Sequence, residues 1–286
     1  MKKFSKEDLI CTLIEREEVV PKVWRFRFEN LAIASQATPG QFVHIQVSDE
    51  NGLDPILRRP ISISSASSEE GWFEIFFREV GRGTEQMAGF EIGKKLSALG
   101  PLGQGFSRNG ERPLLIGGGM GIAPLIFQSQ RLSGKFQCMA LGGRTQSEVF
   151  WDKYFCDTAS QIYVATDDGS VGQQGSVVTL LAGKEKDFDY IYTCGPEGLM
   201  KAVATWAKEH NIPCEVSMEK HMACGVGVCL SCGCSTSKGR KKVCQNGPVF
   251  NAEEVFNYEY KLCGSSRRDS NEKSFDDCVR DFWLWD

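Results

Sequence analysis

Histidine is scarce in this sequence: His44, His210 and His221 are the only three among 286 residues. They are scattered, and neither an HExxH nor a GxSxG pattern is present, so a hydrolytic triad has little support. Positive charge is not in excess. Lys+Arg number 33 against 37 Asp+Glu, a net charge of −4, which gives no reason to expect nucleic-acid binding. Long apolar runs are missing too. The longest charge-free apolar stretch, Pro113 to about Phe127, is interrupted by four Gly and a second Pro. It is too short for a membrane span. The first twenty residues hold no apolar run after their basic start and do not read as a signal peptide. These absences predict a cytoplasmic chain with reduced thiols and no membrane or nucleic-acid partner.

What is present is cysteine, twelve residues, and glycine, thirty. In a reducing compartment clustered cysteines point to metal or redox chemistry rather than disulfides. With 41% hydrophobic and 24% charged residues, the composition is that of a globular protein, and the length suits two domains with a small third.

The texture changes twice along the chain. Residues 1–105 carry period-two segments, Val23 to Phe28, Gln41 to Val47 and Trp72 to Arg78, separated by Gly and Pro turns. This predicts an antiparallel β-barrel or sandwich, with room for one short helix between Gly81 and Phe90. Residues 106–212 alternate short apolar runs with polar turns and helix-like stretches, four times. That pattern predicts a doubly wound parallel-sheet α/β domain with ligands at the carboxyl ends of its strands. Residues 213–262 hold the cysteine cluster, and 263–286 form a polar tail ending in Phe282, Trp283 and Trp285, a frayed end or a docking segment.

The cluster reads Cys224-x4-Cys229-x2-Cys232, then Cys244. This is the plant-type [2Fe–2S] spacing, and Gly225 and Gly227 let the loop wrap closely. A zinc site or free thiols are the alternatives, although zinc usually takes two C-x2-C pairs or His ligands. Cys234 also lies in the loop and could replace Cys232 or Cys244, but its spacing fits less well. Cys11, Cys138, Cys156, Cys214, Cys263 and Cys278 read as ordinary thiols.

Five segments suit nucleotides. Gly117 to Pro124, containing Gly118, Gly119, Met120 and Gly121, follows an apolar run and opens a helix, where backbone N–H groups can meet a pyrophosphate. It is an imperfect dinucleotide fingerprint, and a ligand-free turn is its plain reading. Arg58-Arg59-Pro60-Ile61-Ser62 offers an arginine fork for a diphosphate, or simply a strand with a solvated entrance. Gly81-Arg82-Gly83-Thr84 offers backbone donors and a hydroxyl. Asp167-Asp168 at a strand end suits a ribose or a helix cap, and Cys194-Gly195-Pro196 places a thiol near a nicotinamide or ends a strand.

Taken in order, these motifs resemble the ferredoxin-reductase-like flavoproteins. With the cysteine loop, the chain is most similar to the electron-transfer subunits of two-subunit dihydroorotate dehydrogenases. The stretches His221 to Cys229, Lys242 to Phe250 and Ala165 to Ser170 carry that likeness, over roughly residues 8 to 258. The resemblance implies FAD held by Arg59, Pro60, Ile61, Ser62, Gly83 and Thr84, with Phe76, Phe77 and Arg78 lining the flavin. It implies NAD against Gly118, Gly119, Met120, Gly121, Asp168, Cys194, Gly195, Pro196 and Glu197. Cys224, Cys229, Cys232 and Cys244 would ligate the cluster. An FMN-containing catalytic subunit, in a heterotetramer of two of each, would oxidise dihydroorotate and pass electrons through the cluster and FAD to NAD⁺. No acid or base is needed for hydride transfer, so no catalytic side chain is expected. Arg144 could reach a 2′-phosphate, but the resemblance favours NAD. Alternatives are the small or diaphorase subunit of an NAD(P)H–ferredoxin oxidoreductase or sulfhydrogenase, and a non-catalytic zinc-binding adaptor.

Overall fold

The computed structural model describes residues 8–48, 52 and 54–256. Cys263, Cys278 and the aromatic tail lie outside the described residues.

The first unit contains β1 (Asp8–Val20), β2 (Val23–Glu29), α1 (Leu31–Gln36), β3 (Phe42–Ile45), β4 (Arg59–Ser67), β5 (Trp72–Arg78), α2 (Arg82–Ala88) and β6 (Lys95–Leu102). The six strands close into an antiparallel barrel in the order β1-β2-β5-β4-β3-β6. Alternation explains it. Phe26 and Phe28 turn inward and are fully buried, while Arg25 and Arg27 turn outward to Glu15, Glu17 and Glu74. The basic face of β2 is thereby neutralised. Inside, Phe26 meets Phe77 edge-on at 5.0 Å, a geometry that contributes roughly 0.5–1.5 kcal/mol beyond area burial.

Two strands were not legible in the sequence. β1 is masked by its Glu-Arg-Glu-Glu run, in which Glu15 and Glu17 face the β2 arginines and Glu18 accepts from the Lys22 N–H of the following turn. β6 contains Gly100-Pro101, which reads as a turn but lies within a strand.

The second unit adds β7 (Pro113–Gly118), α3 (Ala123–Arg131), β8 (Cys138–Gly143), β9 (Gln161–Thr166), β10 (Gln173–Gln174), β11 (Tyr190–Cys194), α4 (Glu197–Glu209) and β12 (Cys214–Ser217). The sheet order is β10-β9-β8-β7-β11-β12, closed at one edge by β15 (Val249–Asn251), which alone runs antiparallel. Leu114 and Ile116 pack with α4 residues on one face, Leu115 with α3 residues on the other. The expected four strand–helix repeats are corrected to two. After β8 and β9 the chain makes only short 3₁₀ turns. Gly169, Gly172 and Gly175 all take positive φ there, which an α-helix cannot accommodate, and Trp151 and Phe155 fill the space beside the sheet.

The sheet runs on past residue 213. From β12 the chain leaves as the cysteine loop and forms a hairpin of β13 (Gly233–Thr236) and β14 (Gly239–Lys242). It then makes one turn, α5 (Val243–Asn246), before β15 and α6 (Ala252–Phe256). This segment is docked on the barrel: the Gln104 N–H donates to the Gly247 carbonyl at 2.5 Å.

Candidate redox site

Cross-strand pairing decides what one barrel face presents. Phe42 pairs with Ser62 and His44 with Pro60, while Val43, Ile45, Ile61 and Ile63 belong to the barrel core. Because paired residues share a face, the outside of β3 and β4 carries Phe42, His44, Pro60 and Ser62 together. From Arg59 to Ser62, β4 pairs with β3 alone, and its pairing with β5 starts at Ile63. One backbone edge is therefore open along the Arg-Pro-Ile-Ser motif. Ser64, the next residue of that parity, has a buried hydroxyl with no hydrogen-bond partner. An open strand edge with an orphaned hydroxyl fits a flat ligand with polar edges such as FAD.

The two arginines of the motif differ. Arg58 donates to both carboxylate oxygens of Asp8, each at 2.9 Å, and to the His44 and Ser97 carbonyls; it fastens strands together. Among the described residues Arg59 is fastened only to the Leu57 carbonyl, and its guanidinium lies directly on Gly83, where any Cβ would collide with it. Thr84 is committed to its own turn, accepting from the Val80 and Gly81 N–H groups and donating to the Gly81 carbonyl. Phe77 faces the barrel core. Phe76 faces the other way, onto Trp151 and Tyr154 at 5.3 and 5.1 Å. Phe76 thus packs into the second unit, and Arg78 also reaches it, 3.5 Å from Glu148.

Arg78 stands at the wall of a cavity of about 640 Å³ at the carboxyl ends of β7, β8, β9 and β11. Gly118, Gly119, Met120 and Gly121 form one side, and Gly195, Pro196 and Glu197 the other. The two turns touch backbone to backbone: a Cβ on Gly121 would come 2.5 Å from the Gly195 nitrogen. Cys194 is buried behind this wall, and desolvation raises its thiol pKa, so it is protonated at neutral pH. Asp167, rather than Asp168, lines the cavity. The Asp168 carboxylate accepts from the Ser170 hydroxyl and N–H at 2.6 and 2.9 Å, which lowers its pKa. Arg144 is held by Glu148, with Nε and Nη2 donating to Oε1 at 3.0 and 2.6 Å. That contact holds the Glu148 pKa below the usual carboxylate range.

The cysteine loop folds around three residues at positive φ, Gly225, Gly227 and Leu230. Lys242 Nζ donates to the Gly227 carbonyl at 2.8 Å, and the Ala223 N–H to the Ser231 hydroxyl at 3.1 Å. The thiols come together in pairs. Cys229 interacts with Cys224, and Cys244 with Cys232, whose sulfur lies 3.5 Å from the Cys244 N–H. Among the described residues, no three Cys, His, Asp or Glu side chains surround one point closely enough for a single ion. Two adjacent pairs suit two irons with two thiolates each better than one zinc. The pairs also differ. The Ser231 hydroxyl and N–H, with Cys224, lower the exposed Cys229 thiol to about pKa 6. Burial and then Cys232 raise Cys244 to about 12. Cys234 lies on β13, buried against the core of the parallel sheet, with its pKa raised by desolvation.

His44, Glu148 and Ser64 were not singled out as site residues by sequence reasoning, and of the Asp167-Asp168 pair it favoured Asp168. Parity alone would have found His44, two residues from Phe42 on a strand expected to alternate. Nothing local marks Glu148. His44 is fully buried, and that burial, with the Arg58 and Arg59 charges, pushes its pKa down to about 4 against the opposing Arg58 carbonyl.

Residues 10–106 match the family described as the oxidoreductase FAD-binding domain, and residues 219–256 the iron-sulfur cluster binding domain of dihydroorotate dehydrogenase B. The dihydroorotate dehydrogenase B (NAD(+)) electron transfer subunit of Shouchella clausii is 35% identical over 254 residues, covering 85% of this chain and 96% of that one. The corresponding subunit of Desulforamulus reducens is 38% identical over 251 residues, covering 83% and 94%. Among solved structures, an NADH-dependent reduced ferredoxin–NADP oxidoreductase superposes with a TM-score of 0.78 at 28% identity, over 87% of this chain and 91% of that one. The ferredoxin reductase of a carbazole 1,9a-dioxygenase, at 19% identity and a TM-score of 0.60, shares the fold. By sequence, domain content and architecture, the chain belongs to the family of dihydroorotate dehydrogenase B electron-transfer subunits.

Proposed function

We propose that the chain is the NAD⁺-linked electron-transfer subunit of a dihydroorotate dehydrogenase in pyrimidine biosynthesis. It takes electrons from an FMN-containing catalytic subunit and delivers them to NAD⁺. When bound, a [2Fe–2S] cluster passes single electrons, a nicotinamide takes a hydride, and FAD exchanges between the two modes. The chain's own residues place and shield these groups. Cys224, Cys229, Cys232 and Cys244 hold the cluster. Arg59, Pro60, Ile61 and Ser62, with Gly83 beneath the arginine, hold FAD. Gly118 to Gly121 and Gly195 to Glu197 receive NAD. Asp167 puts a carboxylate on the cavity wall, and Glu148 engages Arg144, the cation that a 2′-phosphate would call on, which favours NAD over NADP.

One observation carries this reading. The cysteine loop rests on the barrel face that also bears the flavin motif, and β5, the next strand, ends in Arg78 at the nucleotide cavity. Three binding elements thus adjoin in the order the electrons require. Val228 and Leu230, 75% and 59% exposed, bracket the exposed Cys229 and suit a partner surface beside the cluster. A heterotetramer of two subunits of each kind, in the cytoplasm, completes the proposal. No helix among the described residues is long and apolar enough to cross a membrane.

The test is dihydroorotate-dependent NAD⁺ reduction by the catalytic subunit with and without this chain. Reduction that requires the chain supports the reading. Reduction without it, or only with reduced ferredoxin as donor, contradicts it and favours the ferredoxin-linked alternative that the structural likeness suggests.

A further inference from the structure

His44 sits in the barrel wall with no exposed surface, where both ring nitrogens call for partners. Its Nε2 lies 3.2 Å from the Arg58 carbonyl oxygen. A carbonyl only accepts, so Nε2 carries the hydrogen and donates it. Nδ1 has no hydrogen bond of normal geometry and lies against the Cys224 backbone. A Cβ on Gly225 would stand 2.6 Å from Nδ1, so glycine at 225 is what lets the loop come down onto the ring. Leu102 closes the same seat from the neighbouring strand, 3.3 Å from that Cβ position. Arg58 immediately precedes Arg59, and Gly225 immediately follows Cys224. A single imidazole therefore spans the start of the flavin motif and the first cluster ligand. The pairing of His44 with Pro60 fixes the ring's place, because Pro60 sits opposite it in the β3–β4 register.

We propose that His44 is a positioning residue: its ring sets the seat of the cysteine loop on the flavin strand and thereby the rate at which electrons cross between the two groups. The inference rests on the function proposed above. Residues that orient metal ligands from behind typically matter by 10–100-fold. Leu fills the same space with no polar atom. Gln keeps reach to the Arg58 carbonyl and lacks the ring nitrogen that faces the loop.

The experiment compares wild type, His44→Leu and His44→Gln, each purified anaerobically with the catalytic subunit. Three quantities are read: iron and FAD content, the paramagnetic resonance line shape of the reduced cluster, and the rate of electron exchange between cluster and flavin after rapid mixing with NADH. The expected result is an altered line shape in both variants, with exchange slowed by about tenfold in His44→Leu and by about threefold in His44→Gln. Wild-type line shape and rate in His44→Leu would overturn the proposal. If that variant does not retain its cofactors, a wild-type line shape and rate in His44→Gln overturns it equally. A wild-type complex without iron or FAD would refute the functional reading instead, so the two failures are distinguishable.

Discussion

The barrel and the cysteine loop lie against each other, yet they keep their shapes by different means. The barrel is a closed ladder around fully buried side chains, Phe26, Phe28, Phe73, Ile63 and Ile75 among them. Removing one such aromatic, as in Phe26→Ala, costs about 3–5 kcal/mol. The loop has no such interior. Its shape depends on positive-φ residues, Lys242 and Ser231, and it turns Val228 and Leu230 to solvent. A metal-binding loop of this kind gains much of its order from the metal, whereas a closed barrel with its own buried core does not depend on one. The two sites should therefore fail independently.

The sharpest way to break that comparison is Cys244→Ser. Iron should fall to near zero while FAD remains at wild-type occupancy, measured by iron and flavin analysis of the same sample. Loss of both together would show that the two regions fold as one unit.

Gly83→Ala is the mirror test. The new Cβ displaces the Arg59 guanidinium, so flavin retention should weaken by about tenfold, the effect of roughly 1.4 kcal/mol. Iron content should not change, and a fall in iron would contradict the comparison.

How much of this was legible beforehand follows the same division. The loop was readable because metal ligation constrains residue type and spacing together, and the run from Cys224 to Cys244 stands out without any fold, inside the matched segment 219–256. The barrel's inner strands were readable from alternation. Its outer charges misled at β1, since Glu15 and Glu17 pair with Arg27 and Arg25, directly opposite them on β2, rather than ending a strand. In the nucleotide unit, the glycine turns announced the cavity. Spacing could not say that Asp168 is occupied by Ser170 while Asp167 faces the cavity, because that depends on how one turn closes. Nor could it show that Arg144 is bound by Glu148, a contact formed only once the chain turns back after β8.

That contact gives a smaller prediction. Glu148→Gln removes one negative charge from the cavity and loosens Arg144. The ratio of kcat/KM for NADP⁺ to that for NAD⁺ should rise about fivefold, equivalent to roughly 1 kcal/mol. An unchanged ratio would mean that neither residue reads the ribose.

The smallest effect concerns the two ends of the cysteine loop with iron removed. The Cys229 thiol is lowered from 9.0 to about 6, so its reactive thiolate is present above that pH and lost below it. Cys244, raised to about 12, stays protonated at neutral pH. Alkylation of the iron-free chain by iodoacetamide, followed by mass spectrometry, should modify Cys229 first, with half-maximal rate near pH 6. A midpoint near 9 at Cys229 would remove the proposed difference between the exposed and buried thiol pairs.

The central claim is most directly tested by titrating the anaerobically purified chain with NADH while following its visible absorption and paramagnetic resonance. Flavin absorbance should bleach, and a signal from a reduced [2Fe–2S] centre should then grow, from protein carrying about two irons and about one FAD per chain. Zinc in place of iron, or a bleached flavin with no paramagnetic signal following it, would contradict the account.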